Sequence, residues 1–264
     1  MTLDRFAHAV AQTLAAERLE GWAPTDEHVA ALNALVREQV SFAEYVATFR
    51  ARHPPAQRPR RRPVLRRAAP YLIPGTTLLR NQFGAGSAEM LADLEFVATA
   101  GRMALWLCRP VDETELDGLD VRVLHRQLFA DVYAWAGAYR TTELRRGDQG
   151  FAWVSTIESG MSRVRDAAGS VAAAGADYDD ARLAYELARL YADFNQLHPF
   201  REGNGRTGAL LLHGVAARCG RRLDLSGVQR TRWYAAAADS MPFRRDGRAS
   251  HRPFLYLLLG AISE

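Results

Sequence analysis

The sequence predicts an all-α fold interrupted by one small β-hairpin, and three observations carry that expectation. Apolar residues recur at helical spacing through most of the 264-residue chain. Strand-like alternation around glycine is confined to one stretch, Thr141 to Val154. Glycine and proline stop signals cut the periodic text into pieces of ordinary helix length.

Taken in order, Leu3, Phe6, Ala7, Val10 and Leu14 share one face, so residues 3–19 form a helix that Glu20-Gly21-Trp22-Ala23-Pro24 then breaks. A second helix starts near Thr25 and carries Val29, Leu32, Leu35, Val36 and Val40. Ser41 and Glu44 have capping-box spacing and open a third helix through Tyr45 and Phe49. So small a unit buries too little surface to stand alone, and its apolar face is expected to pack on something else.

Residues 51–69 combine proline and arginine without apolar periodicity and read as an extended linker between a helical module at 1–50 and a larger domain at 70–264. The eight arginines between Arg50 and Arg67 account for the chain's basicity: the formal charge is +4, and without them it is −4. Direct nucleic-acid binding by the folded body is therefore not expected. Cys108 and Cys219 are isolated in apolar helical text, which excludes a disulfide framework. No stretch approaches a membrane span and the N-terminus lacks a signal peptide's apolar core, so a cytoplasmic protein is expected.

Beyond the linker, helices are expected over Ala88–Leu107, Leu119–Trp135, Ile157–Ala174 and Asp180–Leu197, with two more around Trp233-Tyr234-Ala235 and Phe254–Leu259. Between the second and third of these, Arg146-Gly147-Asp148-Gln149-Gly150 supplies the turn of the hairpin. His213 and the remaining scattered histidines have no metal-ligand spacing and read as core or surface residues.

The chain is organised around His198-Pro199-Phe200-Arg201-Glu202-Gly203-Asn204-Gly205-Arg206, a tight loop between two apolar-periodic segments. A Gly-Asn-Gly run entering a helix turns backbone N–H groups toward one point, where the helix dipole also favours an anion. Arg206 adds a forked cation, Glu202 a carboxylate of the kind Mg2+ accepts, and His198 a base that titrates near neutral pH. Together these are the parts of phosphoryl or nucleotidyl transfer. Gly203, Gly205 and Gly208 also satisfy G-x-G-x-x-G, but a dinucleotide loop needs a preceding strand and here a helix precedes.

This string resembles the Fic family motif H-x-F-x-[D/E]-G-N-G-R at every defined position, and the text from Pro74-Gly75-Thr76 through Arg140-Thr141 resembles the upstream half of a Fic domain. The resemblance implies a Fic-fold helical bundle over residues 70–264 and a protein adenylyltransferase. A Ser, Thr or Tyr hydroxyl of a target protein would attack the α-phosphorus of ATP, with His198 taking the proton and Glu202 holding Mg2+. Phe200, Gly203, Asn204, Gly205, Arg206 and Thr207 would form the nucleotide site. In that assignment the Asn204 side chain and the glycine backbone meet the α-phosphate, Arg206 the β-phosphate, and Phe200 anchors the loop. The hairpin, through Gly147, Phe151 and Ala152, would be the flap that docks an extended target segment by strand augmentation. Targets of similar proteins include type II topoisomerase subunits.

Two departures matter. The family often carries a second arginine three residues after the first, where it grips the γ-phosphate; here that position is Ala209. Leu19-Glu20-Gly21 resembles the end of the inhibitory helix of Fic antitoxins, [S/T]-x-x-x-E-[G/N], and the following text resembles the small antitoxin of VbhA type, but Ala16 stands where Ser or Thr is usual. The expectation is an antitoxin-like module fused to its Fic domain and packing in cis or in trans, with Glu20 inhibitory through another partner such as Arg206. The readings that compete are a Fic transferase with a different nucleotide or phosphate donor, favoured by Ala209, and an inactive Fic scaffold, opposed by the intact His198, Glu202, Asn204 and Arg206.

Overall fold

The computed structural model describes residues 2–53, 70–109 and 119–263. The proline- and arginine-rich stretch 54–69, which holds most of the expected linker, lies outside the described residues. The N-terminal module consists of α1 (Thr2–Leu19), α2 (Asp26–Val36) and α3 (Phe42–Arg50). Both short helices open on capping boxes. Ser41 and Glu44 bond reciprocally as expected; at α2 the same device pairs Thr25 with His28, a residue not usually read as a capping partner.

The larger part contains α4 (Ala88–Leu107), α5 (Val121–Phe129), a hairpin of β1 (Arg145–Arg146) and β2 (Gln149–Gly150), α6 (Ile157–Ala174), α7 (Asp180–Leu197), α8 (Asn204–Arg218), α9 (Arg230–Asp239) and α10 (Arg252–Leu259). A second two-residue pair, β3 (Arg222–Leu223) with β4 (Ile262–Ser263), ties the chain's end beside α8. The expected helix Leu119–Trp135 is a shorter one. After Phe129 the chain turns, although Val132 and Tyr133 remain buried and so keep the apolar text looking helical. The turn returns the Gly137 N–H, at φ +82°, to His125 Nδ1 at 2.8 Å.

Two apolar cores share one wall. In α4, Leu94, Ala98 and Met103 face the main core, while Val97, Ala100 and Ala104 face the three N-terminal helices. A helix buried on both sides must be apolar nearly all round, as its sequence is. α1 is shared in the same way: Val10 and Leu14 belong to the N-terminal core, Ala15, Ala16 and Leu19 to the main one. The N-terminal module therefore packs in cis, as an integral wall of the fold.

Phe49 is fully buried, with His28 stacked on it at 4.7 Å and Tyr45 edge-on at 5.5 Å. Phe49→Ala is expected to lower unfolding stability by about 3–5 kcal/mol in urea titration. A loss below about 1 kcal/mol would mean that α3 is not packed as described.

Candidate active site

His198 ends α7 in the left-handed region, at φ 44°, a conformation that a side chain beyond glycine adopts only when its surroundings hold it. Arg140 does the holding. Its buried guanidinium donates to the carbonyls of His198 at 2.9 Å, Thr142 at 2.9 Å, Leu197 at 3.2 Å and Ala152 at 2.6 Å, and its own N–H reaches the Pro199 carbonyl at 2.8 Å. The imidazole is stacked on Phe151 with ring centroids 3.8 Å apart, and Nδ1 is buried without a partner. Burial pushes the His198 pKa down to about 3, reinforced by the charges of Arg146 and Arg140. The ring is therefore neutral in this resting site and does not titrate near neutral pH as its residue type suggested.

The loop that follows is built from its own polar groups. Phe200 is fully buried and stacked on His125 at 3.9 Å. Both ends of the Asn204 amide are engaged with the Phe200 backbone: Oδ1 accepts from its N–H and Nδ2 donates to its carbonyl, each at 2.9 Å. These two bonds shape the loop, and Asn204 also lines the cavity, with the second N–H of its amide not used by them. Thr207 is reassigned. It is fully buried in the first turn of α8, its hydroxyl donates to the Gly203 carbonyl at 2.8 Å, and it does not line the cavity. His125 donates from Nε2 to the Glu202 carbonyl at 3.1 Å while Nδ1 accepts from Gly137, so this buried histidine, neutral with its pKa pushed down to about 3 by burial, clamps the loop from beneath.

Two glycines are required where they stand. Gly203 is the N-cap of α8 at φ +80°, and a Cβ there would lie 2.1 Å from the Phe129 ring. At Gly205, in the first turn, a Cβ would lie 1.9 Å from Glu20 Oε1. The Glu20 carboxylate is therefore seated against the N-terminus of α8, where N–H groups have no intrahelical acceptor and the dipole favours negative charge. It lies in a cavity of about 280 Å3 that is also lined by Arg146, His198, Glu202, Asn204 and Gly205. Burial raises the Glu20 pKa, opposed by the charges of Arg206, Arg146 and Arg230.

Glu202 presents a carboxylate that is 40% exposed, with Oε1 accepting from the Gly203 N–H at 3.0 Å. Partial desolvation in the cavity and the neighbouring Glu95 raise its pKa. Among the described residues no group of three or more His, Cys, Asp or Glu side chains could hold a metal ion. A lone accessible carboxylate fits a hard cation that keeps most of its oxygens from water and phosphate, as Mg2+ does.

Arg206 is not where the sequence placed it. It is 2% exposed and turned away from the cavity: Nη2 donates to Glu95 Oε1 at 2.5 Å, Nη1 to Thr99 Oγ1 at 3.1 Å, and Glu17 Oε2 lies 3.8 Å from Nη1. Tyr133 closes the far side with a hydrogen bond to Glu95 Oε2. The ion pairs of Arg206 run to Glu95, Glu17 and, at 3.9 Å, Glu202, so in place of the expected pairing with Glu20 the two interact only through their charges. Glu95, Thr99 and Glu17 carry no motif and lie far away in sequence; only their polarity within otherwise apolar helix faces marks them.

The hairpin forms, with Arg145 opposite Gly150 and Arg146 opposite Gln149, and Gly147 turns it at φ +58°. Phe151 and Ala152 do not offer a free edge. The N–H of Phe151 donates to Leu144 at 3.1 Å and its carbonyl accepts from Arg245 at 2.5 Å; that of Ala152 donates to Gln196 at 3.0 Å and its carbonyl accepts from Arg140. Strand augmentation at these two residues is therefore not available, because their main-chain groups are already paired.

The buried cluster predicts a pH dependence. Burial pushes Glu17 up from 4.5 to about 8, against the charge of Arg206, whose closer partner is Glu95. A carboxyl whose folded pKa is raised keeps a proton that the unfolded chain releases, so its stabilising effect is complete below about pH 4.5 and is lost as pH rises toward 8. Urea titrations at pH 5, 6.5 and 8 are expected to show stability falling over that range by a few kcal/mol more in the native chain than in Glu17→Gln. Parallel curves would show Glu17 ionised throughout.

Comparison with known proteins agrees with this geometry. Residues 115–216 match the family described as Fic/DOC, and residues 7–52 match the one described as antitoxin VbhA. The chain is 30% identical over 169 residues to "Probable protein adenylyltransferase Fic" of Escherichia coli K12, covering 63% of this chain and 82% of that protein. The N-terminal Fic domain of a Bartonella effector protein (Bep) from Bartonella sp. AR 15-3 superposes with a TM-score of 0.64 at 22% identity, covering 73% of this chain and 91% of that one. BepC of Bartonella tribocorum, solved with bound AMPPNP, superposes at 0.62 and 20%, covering 73% and 96%. The chain belongs to the Fic/DOC family and carries an N-terminal segment of the antitoxin VbhA kind.

Proposed function

We propose that this chain is a protein adenylyltransferase restrained by its own N-terminal helix, with residues 1–50 the restraining module and 70–264 the catalytic domain. The observation that carries the reading is the Glu20 carboxylate seated on the α8 N-terminus, in one cavity with His198 and Glu202. An anion-binding helix end beside a neutral, partnerless imidazole nitrogen suits transfer of a phosphorus group to a hydroxyl.

In the reaction proposed, ATP places its α-phosphate at the first turn of α8, where Gly205 leaves room for an anion. The target hydroxyl oxygen attacks the α-phosphorus and its proton passes to the His198 imidazole. The bond from the α-phosphorus to the bridging oxygen breaks, and pyrophosphate leaves. Arg140 and Phe151 keep the imidazole in place; His125, Asn204 and Phe200 keep the loop in shape. Glu202 would hold Mg2+, which when bound supplies positive charge to the phosphate oxygens. Glu20 opposes nucleotide entry by presenting its own carboxylate at the same helix end. Acceptors are Ser, Thr or Tyr hydroxyls of a target protein.

A second donor reading is favoured by Ala209, which is 3% exposed and leaves its face of α8 without a cation. Parallel assays with other nucleotides separate the two donors.

Incubation of the full chain with α-32P-labelled ATP and Mg2+ in bacterial lysate is expected to label a protein band. Glu20→Gly should strengthen the band at least tenfold, and His198→Ala, in either background, should abolish it. ATP binding without labelling in any variant would overturn adenylyl transfer.

A further inference from the structure

The cations around the cavity do not match the charge of the donor just proposed, and the inference that follows rests on that reading. A nucleoside triphosphate brings several negative charges to the α8 N-terminus. On α8 itself, Arg206 is committed to Glu95, Thr99 and Glu17, and position 209, one turn beyond Gly205 on the same face, is a buried alanine. Another element must supply the missing cation.

Four arginines lie about the cavity or the seated Glu20 carboxylate from outside α8: Arg201 in the loop before that helix, Arg230 of α9, and Arg145 and Arg146 of the hairpin, and two of them are engaged. Arg230 of α9 donates Nε to the Leu19 carbonyl at 3.1 Å, fastening the end of α1. Arg145 donates to the Asp148 carbonyl at 2.9 Å within the hairpin turn. Arg146 differs from both. It lines the cavity, and among the described residues it pairs with no carboxylate. Its guanidinium lies 5.4 Å from the ring centroids of both Phe151 and Tyr234. Ring faces aim a guanidinium without neutralising it. Arg146 lines the same cavity as the resident anion Glu20 and the candidate base His198, and its charge acts on both. With Glu20 withdrawn, the charged side chains lining the cavity are Arg145, Arg146 and Arg201 against Glu202 alone.

We propose that Arg146 is the nucleotide's terminal-phosphate ligand, a flap arginine standing in for the cation absent from position 209. Before nucleotide enters, the same side chain favours Glu20 at the helix end. Donor binding is thereby tied to the hairpin, since the grip on the outer phosphate belongs to β1 rather than to α8.

The test is calorimetric titration of ATP, ADP and AMP with Mg2+ into the full chain carrying Glu20→Gly, so that binding is read without transfer. Adding Arg146→Ala should weaken ATP by about tenfold or more and AMP by less than about twofold; Arg146→Lys should recover part of the ATP affinity, and Arg145→Ala should change neither. An unchanged ATP affinity in Arg146→Ala would overturn the assignment while leaving adenylyl transfer standing. Equal weakening of ATP and AMP would also overturn it, since that is the signature of a displaced flap. Failure of the Glu20→Gly chain to bind any of the three nucleotides would overturn both.

Discussion

One buried cation holds the two halves of the molecule together. Arg206 starts in the first turn of α8, reaches Glu95 and Thr99 on α4, and meets Glu17 of α1 through Thr99, whose hydroxyl donates to Glu17 Oε1 at 2.8 Å. Three helices from opposite ends of the sequence converge on a single guanidinium. Removing Arg206 or Glu95 would leave the other's charge in a space that excludes water, which is costlier than never having buried the group. The same side chain that the family motif marks for phosphate is, in this arrangement, the cross-brace of the core.

That cross-brace explains why the N-terminal module is part of the wall rather than an appendage. α4 is apolar on both faces because it separates two cores, and α1 contributes to each. The chain thus has no seam along which the module could be lifted without exposing apolar surface. Glu20, at the end of α1, is delivered to Gly205 by the packing of a whole helix and fastened there by Arg230 from α9.

Much of the architecture was legible from spacing alone. The Ser41 and Glu44 box, the helices Ala88–Leu107, Ile157–Ala174 and Asp180–Leu197, the glycine-turned hairpin and the loop His198–Arg206 stand where periodicity and stop signals put them. Helix α5 was overestimated because Val132 and Tyr133 remain buried after the helix ends; burial and helicity are separate properties with one sequence signature. The site's chemistry was less legible. Asn204, Thr207 and Arg206 are the residue types that bind phosphate, yet each has a nearer partner inside the fold, and a motif does not reveal where a side chain's hydrogen bonds are already committed. Glu17, Glu95 and Thr99 were invisible for the converse reason, since their meaning arises only when α1, α4 and α8 meet.

The placement of Glu20 on a helix shared between two cores has a kinetic consequence. A carboxylate on a surface loop would leave and return within nanoseconds to microseconds, and competing nucleotide would meet a site open at equilibrium on every encounter. A carboxylate carried by a core helix leaves only when a cooperative unit of the fold opens, an event set by the stability of that unit. The proposed restraint would then behave as a threshold: below it the site is closed for nearly all molecules at once, and anything that loosens the wall, whether heat, proteolysis or a partner that prefers α1 undocked, would open the site in individual molecules fully rather than by degrees.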